Sequence, residues 1–265
     1  MAFDSSLPLI SVVIPVHNGA LYLQEAIESV RSQNYSALQI VVIDDGSTDQ
    51  TAHVAAQMSD IEYSYQAQSG AATARNNGVL QARGKYIAFL DADDLWTSGK
   101  LQLQIEILQN GGADIVFGQV EQFLSPDCTD ENSAHVPEGI MPAFIPSAMM
   151  LRREAFLRVG FFETSWQIGE FIDWFARATE RGLTHCAPPQ IVLRRRVHRT
   201  NQGVSKRQFQ SDYVRIIKAS LDRRRQSQSA TSSTRCPTAS RESVSVSEEI
   251  CANSSVEISS GEGKL

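Results

Sequence analysis

Cysteine is scarce in this chain, and its spacing excludes the common structural metal sites. Only four cysteines occur among 265 residues, with no C-x-x-C pair and no histidine at a zinc-site spacing from any of them. They are Cys128, Cys186, Cys236 and Cys251. Free thiols in a reducing compartment are the simplest interpretation, so the sequence predicts a cytoplasmic protein without structural disulfides.

Long apolar runs are also missing. No stretch approaches the roughly 20 apolar residues that span a bilayer, and the first seven residues lack the basic and apolar segments of a signal peptide. The net charge of −6 argues against a nucleic-acid partner. Residues 181–225 are nevertheless strongly basic, and the run Arg194–Arg199 leaves contact with a nucleic acid or a membrane surface open, although it follows a predicted strand and lacks interleaved aromatic residues. The oligomeric state stays open as well.

Three motifs of other α/β enzymes are absent. No G-x-G-x-x-G follows the first predicted strand, which argues against an NAD-dependent dehydrogenase. No glycine-rich phosphate loop with a downstream lysine occurs, which argues against a nucleotidyltransferase. A haloacid-type phosphatase usually has Thr or Val two residues after the second aspartate of its motif, where this chain has Leu95 or Trp96.

What the first 95 residues do contain is a regular alternation of apolar segments and helical patterns. This alternation predicts an α/β fold with a mostly parallel, Rossmann-like sheet flanked by helices. Strands are predicted at 9–15, 38–43, 61–65 and 86–90, with helices at 22–30, 49–58 and 70–82. Further strands are predicted at 114–123, 148–152 and 191–193, and further helices at 100–108, 153–160, 171–181 and 208–224.

Polar residues follow three of the predicted parallel strands, so they converge on one edge of the sheet. These groups are Pro15 to His17, Asp44–Asp45 and Asp91 to Asp94. Ligands of open α/β sheets bind at that edge. Carboxylates at i and i+2, such as Asp91 and Asp93, can reach one Mg²⁺ or Mn²⁺ ion beside a phosphate. The alternative is that these aspartates only form turns and cap helices, one of which would begin near Leu95.

Four blocks in consistent order resemble the family 2 glycosyltransferases, and the likeness extends over residues 9 to about 205. The blocks are Ser11–Asn18, Ile43–Asp49, Ala74–Gly78 and Phe89–Asp94. The resemblance implies a GT-A fold, a nucleotide-diphospho-sugar donor, a divalent cation and inversion at the anomeric carbon. It implies a UDP-sugar as donor and a hydroxyl group as acceptor, without naming the sugar or the acceptor.

The resemblance also implies roles for individual residues. Asp44 would contact uracil or ribose, Arg75 the base or phosphate, and Asp93 the cation, with Asp91 nearby. His17 stands where the family usually has an aromatic residue, so we expect packing there. Arg196 and His198 fit an Arg-x-His element, expected after the last strand, that closes over the diphosphate. The implied donor-binding set is Pro15, His17, Asn18, Asp44, Asp45, Arg75, Asp91, Ala92, Arg196 and His198, with Asp93 and Asp91 for Mn²⁺ or Mg²⁺.

The catalytic base is the point at which the sequence departs from the family. An inverting enzyme needs a carboxylate that takes the proton of the acceptor hydroxyl. Aligning Asp173 and Arg177 with the family pattern places Phe171 where the usual aspartate stands. Glu170 is the favoured base and Asp173 the second candidate. One alternative is that Glu170 only places a favourable charge at a helix N-terminus. Another is that the protein binds a sugar nucleotide without catalysing transfer.

The domain prediction is a single GT-A-type domain followed by a tail. Residues 1–95 would form the nucleotide-binding half and residues 96–225 a smaller acceptor half. Residues 226–265 are rich in Ser and Thr and poor in apolar side chains, so they are predicted to be disordered.

Overall fold

A computed structural model of the 265-residue chain describes residues 7–126, 139–198 and 209–233. The chain divides into two compact units, residues 1–226 and 227–265. The sheets and the candidate site belong to the first unit. Of the second unit, the structure describes only helical residues up to Ser233, and the rest of the predicted tail lies outside the described residues.

The first part of the chain forms the parallel block that the sequence predicts. Its strands stand side by side in the order β4-β1-β2-β3, and every pairing among them is parallel. A helix covers each crossover, as right-handed β-α-β connections require. The elements are β1 (Ile10–Val16), α1 (Leu23–Arg31), β2 (Leu38–Asp45), α2 (Thr51–Ala56), β3 (Ile61–Gln66), α3 (Ala71–Gln81) and β4 (Tyr86–Phe89).

The later elements extend this sheet and add a second one. They are β5 (Leu95–Trp96), α4 (Lys100–Gln109), β6 (Ile115–Val116), β7 (Gln119–Leu124), β8 (Met141–Pro142), β9 (Met150–Arg152), α5 (Arg153–Val159), α6 (Glu170–Glu180), β10 (His185–Cys186), β11 (Ile191–Val197) and α7 (Ser211–Ser233). The main sheet has the order β10-β6-β9-β4-β1-β2-β3, and β9 is antiparallel to both of its neighbours. The smaller sheet has the order β5-β11-β7-β8.

Apolar side chains fill both faces of the main sheet. Along β1, Val12 and Ile14 pack toward α1 and α4, whereas Val13 packs on the opposite face with α3, α5 and α6. This alternation follows from the two-residue period of a strand. The aromatic residues on one face of α6 are core: Phe171 and the fully buried Trp174 belong to the second cluster, and Phe175 packs against it.

The contact between α3 and β1 depends on a glycine. A Cβ atom at Gly78 would lie 2.2 Å from Cγ1 of Val13, a branched core residue that cannot move aside. We expect Gly78→Ala to lower the free energy of unfolding by about 1–3 kcal/mol through overpacking, despite the better helix propensity of alanine. Urea denaturation measures this. Gly112→Ala is the control, because its nearest neighbour is 3.3 Å away, in the half-buried Ile107 side chain; an equal loss in both would contradict a specific clash.

Several predicted boundaries are wrong. The strand expected at 114–123 is two short strands, β6 and β7, in different sheets. Strand β11 continues through Val197, because the arginines expected after it pair with β7 and lay their long side chains over aromatic rings. No helix begins near Leu95, which pairs in β5 with β11. Helix α7 passes its predicted end at Arg224. Within the described ranges, no helix is long and apolar enough to cross a membrane.

Candidate active site

The loops that follow β1 and β2 are bound to each other. Asn18 adopts a left-handed conformation with φ of 54°. Its backbone N–H donates to Oγ of Ser47 at 2.8 Å, and its side-chain Oδ1 accepts from the backbone N–H of Thr48 at 2.8 Å. The N–H of Gly19 donates to Oγ1 of Thr51 at 2.9 Å. The two motifs therefore form one rigid wall at the carboxyl edge of the sheet.

Asp44 is buried and hydrogen-bonded on both oxygens. Its Oδ1 accepts from the N–H of Ser47 at 2.8 Å, and its Oδ2 accepts from the hydroxyl of Tyr63 at 2.7 Å. Burial, together with this carboxylate, raises the pKa of Tyr63. A carboxylate oxygen has more than one lone pair, so Asp44 can accept further hydrogen bonds at the carboxyl edge of the sheet. The two bonds already made fix the position of its side chain.

Asp45 holds the turn that precedes α3, which is the turn-forming role left open by the sequence. Its Oδ1 accepts from the N–H of Ser69 at 2.7 Å and from Nε2 of Gln66 at 2.8 Å, and its Oδ2 accepts from the N–H of Gly70 at 2.8 Å. Three donors on one buried carboxylate fix the start of α3 relative to β2. That helix carries Arg75 one turn later.

Pro15 and His17 shape the same edge. Pro15 pairs with Ile43 but lies beyond the last pairing of β1 with β4, so its missing N–H removes no bond on that side. Nδ1 of His17 donates to the carbonyl oxygen of Asp45 at 2.8 Å. In the neutral ring Nε2 is then an acceptor, facing the amides of Asn18 and Gln68 at 3.3 and 3.2 Å. These bonds hold the exposed imidazole in place.

Arg75 joins the two halves of the site. Its Nη2 donates to Oδ1 of Asp91 at 2.7 Å, and its Nη1 donates to Oε1 of Glu170 at 2.6 Å. The Arg75 side chain is 6% exposed, that of Glu170 15% and that of Asp91 36%. One guanidinium therefore holds a carboxylate at the end of β4 close to a carboxylate at the start of α6.

Charge dominates the environment of Arg75. Burial by itself would lower its pKa, but the charges of Asp91 and Glu170 outweigh burial and raise the pKa above its ordinary value. Its Nε lacks a hydrogen-bond partner among the residues that the structure describes. A buried N–H without a partner costs free energy, which the two charged partners of Arg75 offset.

The loop Asp91–Asp94 is held from behind by β11. The backbone N–H of Arg196 donates to Oδ1 of Asp94 at 3.0 Å, and its Nε donates to the carbonyl oxygen of Asp93 at 3.0 Å. The Arg196 guanidinium also pairs with Glu25 and lies 4.7 Å from the ring centres of Tyr22 and Phe123. Arg196 is 4% exposed, and among the residues that the structure describes it contacts this loop, Glu25 and the two aromatic rings.

His198, the residue that follows β11, contacts the same loop through Asp93. Nε2 of His198 lies 2.8 Å from Oδ2 of Asp93, and its ring packs on Tyr22 with centroids 5.2 Å apart. Burial, followed by the charges of Asp93 and Asp91, raises the pKa of the neighbouring Asp94 well above its ordinary value. Ala92, between the two outward aspartates, is 8% exposed and belongs to the core cluster of β1.

The two candidate bases have different surroundings. Asp173 is 3% exposed, and its oxygens accept from Nε of Arg177 at 2.9 Å and from Nη1 of Arg223 at 3.2 Å. It therefore ties α6 to α7. Phe171 is buried and stacks on Phe175 with centroids 5.9 Å apart, so the family's usual base position is occupied by core. Of the two candidates, Glu170 is the one that the structure brings to Asp91.

The carboxylates suit a divalent cation that the substrate helps to bind. Throughout the described ranges, no three His, Cys, Asp or Glu side chains form a complete metal site. Asp91 and Asp93 nevertheless present part-exposed carboxylates at one strand end, with exposures of 36% and 26%. Mg²⁺ and similar ions commonly take one or two carboxylates and complete their shell with water and substrate phosphates. The donor set fits such an ion.

Sequence reasoning missed the residues that support this loop. Ser147 accepts through Oγ from the N–H of Asp91 at 3.1 Å, and its carbonyl oxygen accepts from the Trp96 indole at 2.8 Å. Tyr22 and Glu25 enclose Arg196. A serine, a tyrosine and a glutamate in ordinary helical or loop segments give no motif, so only the tertiary structure identifies them.

Comparison with known proteins agrees with this geometry. Residues 11–160, more than half of the chain, match the family "Glycosyl transferase family 2". An uncharacterized glycosyltransferase of Rickettsia prowazekii, RP339, is 42% identical over 102 residues, or 38% of this chain and 32% of that protein. One from Nostoc, alr2836, is 43% identical over 112 residues, or 40% and 34% of the two chains. The chain thus aligns with about a third of each of these relatives.

Solved structures show the same fold. S. aureus TarS 1-349, in complex with UDP-GlcNAc, superposes with a TM-score of 0.61 at 18% identity, covering 73% of this chain and 60% of that one. The mannosyltransferase PcManGT of Pyrobaculum calidifontis, in complex with GDP-Man and Mn²⁺, gives 0.56 at 20% identity, covering 72% and 57%. These likenesses confirm the predicted GT-A fold. Fold similarity alone does not assign a family, but the match of residues 11–160 to the family model does: the chain belongs to glycosyltransferase family 2.

Proposed function

We propose that this glycosyltransferase moves a sugar, with inversion, from a nucleotide-diphospho-sugar to a hydroxyl group, with Glu170 as the base. The observation that carries the proposal is the double ion pair of Arg75 with Asp91 and Glu170. It brings a carboxylate suited to the donor's cation next to a carboxylate from the later half of the chain. A donor and an acceptor must meet at such a point.

A UDP-sugar with Mn²⁺ or Mg²⁺ is the proposed donor. The joined loops after β1 and β2 support this, because they present Asp44, Asn18 and His17 along one wall. The solved relatives with UDP-GlcNAc and with GDP-Man and Mn²⁺ support it further. When bound, the cation stabilises negative charge on the departing diphosphate as a Lewis acid. Asp91 and Asp93 would hold it.

The residues of the chain itself would do the remaining work. Arg196 and His198 keep Asp93 in place from behind. Arg75 occupies Oε1 of Glu170, which leaves Oε2 to accept the proton of the acceptor hydroxyl. The acceptor oxygen bonds to the anomeric carbon as the bond from that carbon to the phosphate oxygen breaks. Attack opposite the leaving group inverts the anomeric centre.

A catalytically silent sugar-nucleotide-binding protein is the second candidate. The specific observation in its favour is Phe171, which is buried at the position of the family's usual base. Turnover distinguishes the two functions: slow hydrolysis of the donor, or transfer once an acceptor is supplied, requires an enzyme. Donor binding with no release of UDP over a long incubation would favour the silent protein.

Calorimetric titration with UDP tests the donor site. We expect binding in Mn²⁺ and a loss of about 10–100-fold with chelator, because one charge-assisted interaction of about 1.5–3 kcal/mol disappears. Asp93→Asn should reproduce this loss without unfolding the protein. Glu106→Gln removes an exposed carboxylate from α4 and serves as the control. Equal affinity in Mn²⁺ and in chelator would contradict the metal role.

A further inference from the structure

Helix α7 is attached to the helix that carries Glu170. Arg223 donates from Nη1 to Oδ1 of Asp173 at 3.2 Å and from Nε to Oε2 of Glu180 at 2.7 Å. Ile216 is 1% exposed. Its Cδ1 lies so near Gly169 that a Cβ there would approach it to 2.8 Å. The inner face of α7 is thus packed against α6, beginning one residue before Glu170.

The outer face of α7 carries an apolar stripe in solvent. Val214, Ile217 and Leu221 are 70%, 58% and 47% exposed. Their spacing of i, i+3 and i+7 places them on one side of the helix. Soluble proteins scatter exposed apolar residues singly, whereas a continuous stripe of them marks a contact surface. The packing inside the first unit leaves this stripe uncovered.

Basic side chains border the stripe. Lys218 is exposed, and the side chains of Arg224 and Arg225 are 57% and 78% exposed. At 100° per residue, Lys218 and Arg225 lie on one side of the stripe and Arg224 on the other. Two of these cations have acidic neighbours: Arg225 lies 3.7 Å from Asp222, and Arg224 lies 3.8 Å from Glu180. This positive face contrasts with the net charge of −6 of the whole chain.

We propose that residues 213–225 of α7 form an interfacial helix that docks the protein on an anionic lipid surface. An apolar stripe between basic borders is the pattern of helices that lie in the plane of a bilayer, with the apolar residues below the headgroups. Lysine and arginine at the borders then meet anionic lipid headgroups. A second copy of the chain fits less well, because a two-fold contact would place these cations against each other.

Docking would orient the active site. Because Ile216 packs at Gly169 from the inner face of α7 and the stripe lies on the outer face, the lipid surface would be about 10 Å, one helix diameter, from the first turn of α6 that carries Glu170. The acceptor would then be a hydroxyl compound carried at that surface. This consequence rests on the function proposed above, whereas the docking itself does not.

Vesicle sedimentation of the full chain tests the docking. We expect binding to vesicles of equal parts phosphatidylcholine and phosphatidylglycerol, little binding to pure phosphatidylcholine, and weaker binding at high salt. The triple variant Val214→Ser, Ile217→Ser, Leu221→Ser and the double variant Lys218→Glu, Arg225→Glu should each lower the partition coefficient by about tenfold or more. Leu80→Ser, at a 64%-exposed leucine on α3, should change nothing.

Three outcomes would overturn the docking. Equal binding to neutral and anionic vesicles, or unchanged binding by both α7 variants, would exclude an anionic lipid surface. A dimer in light scattering that the triple variant dissociates, without vesicle binding, would assign the stripe to a second copy. Melting temperature and UDP affinity are measured in parallel, and both should be unchanged in the variants. If the unaltered protein does not bind UDP, the proposed function is refuted, but the vesicle result still holds because the docking does not depend on that function.

Discussion

Glu170→Gln is expected to reduce sugar transfer by about 10²–10⁴-fold, the usual contribution of a positioned general base. Glutamine can still accept the hydrogen bond from Arg75 through its side-chain oxygen, so the geometry at Asp91 should survive. UDP affinity should therefore stay nearly unchanged while the rate of transfer falls. Steady-state kinetics with a competent acceptor, together with calorimetry of UDP, measure the two quantities separately.

Asp173→Asn is the matched control on the same helix. Asp173 accepts from Arg177 and Arg223, so its loss should lower the free energy of unfolding by up to about 3–5 kcal/mol, the cost of leaving a buried ion pair unbalanced. The folded fraction should retain transfer at moderate temperature. If Asp173→Asn abolishes transfer in folded protein while Glu170→Gln does not, the two assignments are reversed. If neither matters, the base lies outside α6.

Arg75→Gln is expected to weaken both the fold and the donor site. Asp91 and Glu170 would face each other without their shared cation, and removing one partner of a buried pair costs about 3–5 kcal/mol. The 36% exposure of Asp91 places the expected loss near the lower end, because water screens its charge. Urea denaturation measures the stability, and UDP titration in Mn²⁺ should show weaker binding than the unaltered protein.

Two further variants make the Arg75 result interpretable. Arg83→Gln breaks an ion pair with Glu62 whose side chains are 64% and 41% exposed, so it should not change the stability measurably. Combining Arg75→Gln with Glu170→Gln removes one of the two opposed carboxylates and should recover part of the lost stability. A double variant less stable than Arg75→Gln would show that repulsion between Asp91 and Glu170 is not the cause.

The parallel half of the fold could be predicted because its signals are local. Each strand is a short apolar run with a polar end, and each helix shows its own period, so topology follows from the handedness of the crossovers. The later half could not be predicted as well. Strands β6, β5 and β9 have two or three residues, and their pairing depends on distant partners such as Leu151 for Ile87.

The sequence predicted several residues of the candidate site but not the hydrogen bonds and ion pairs between them. The strand ends pointed to Asp44, Asp91 and Asp93, since burying unpaired carboxylates is unfavourable. The bond of Arg75 to Glu170 joins residues 95 positions apart, and no spacing rule predicts such a contact. The burial of Arg196 was equally hidden, because a guanidinium stacked between two rings looks like an ordinary basic residue in sequence.

The hydrogen bonds from Arg196 and His198 to the Asp91–Asp94 loop restrict where a chimera of this enzyme can be joined. A chimera joined at residue 95, the boundary that the sequence predicts between the two halves, would lose the native Arg196 and His198 from behind Asp93 and Asp94. Asp94 would then keep a buried carboxyl without its backbone donor. Specificity swaps should instead keep β11 with its native loop and exchange only segments between them.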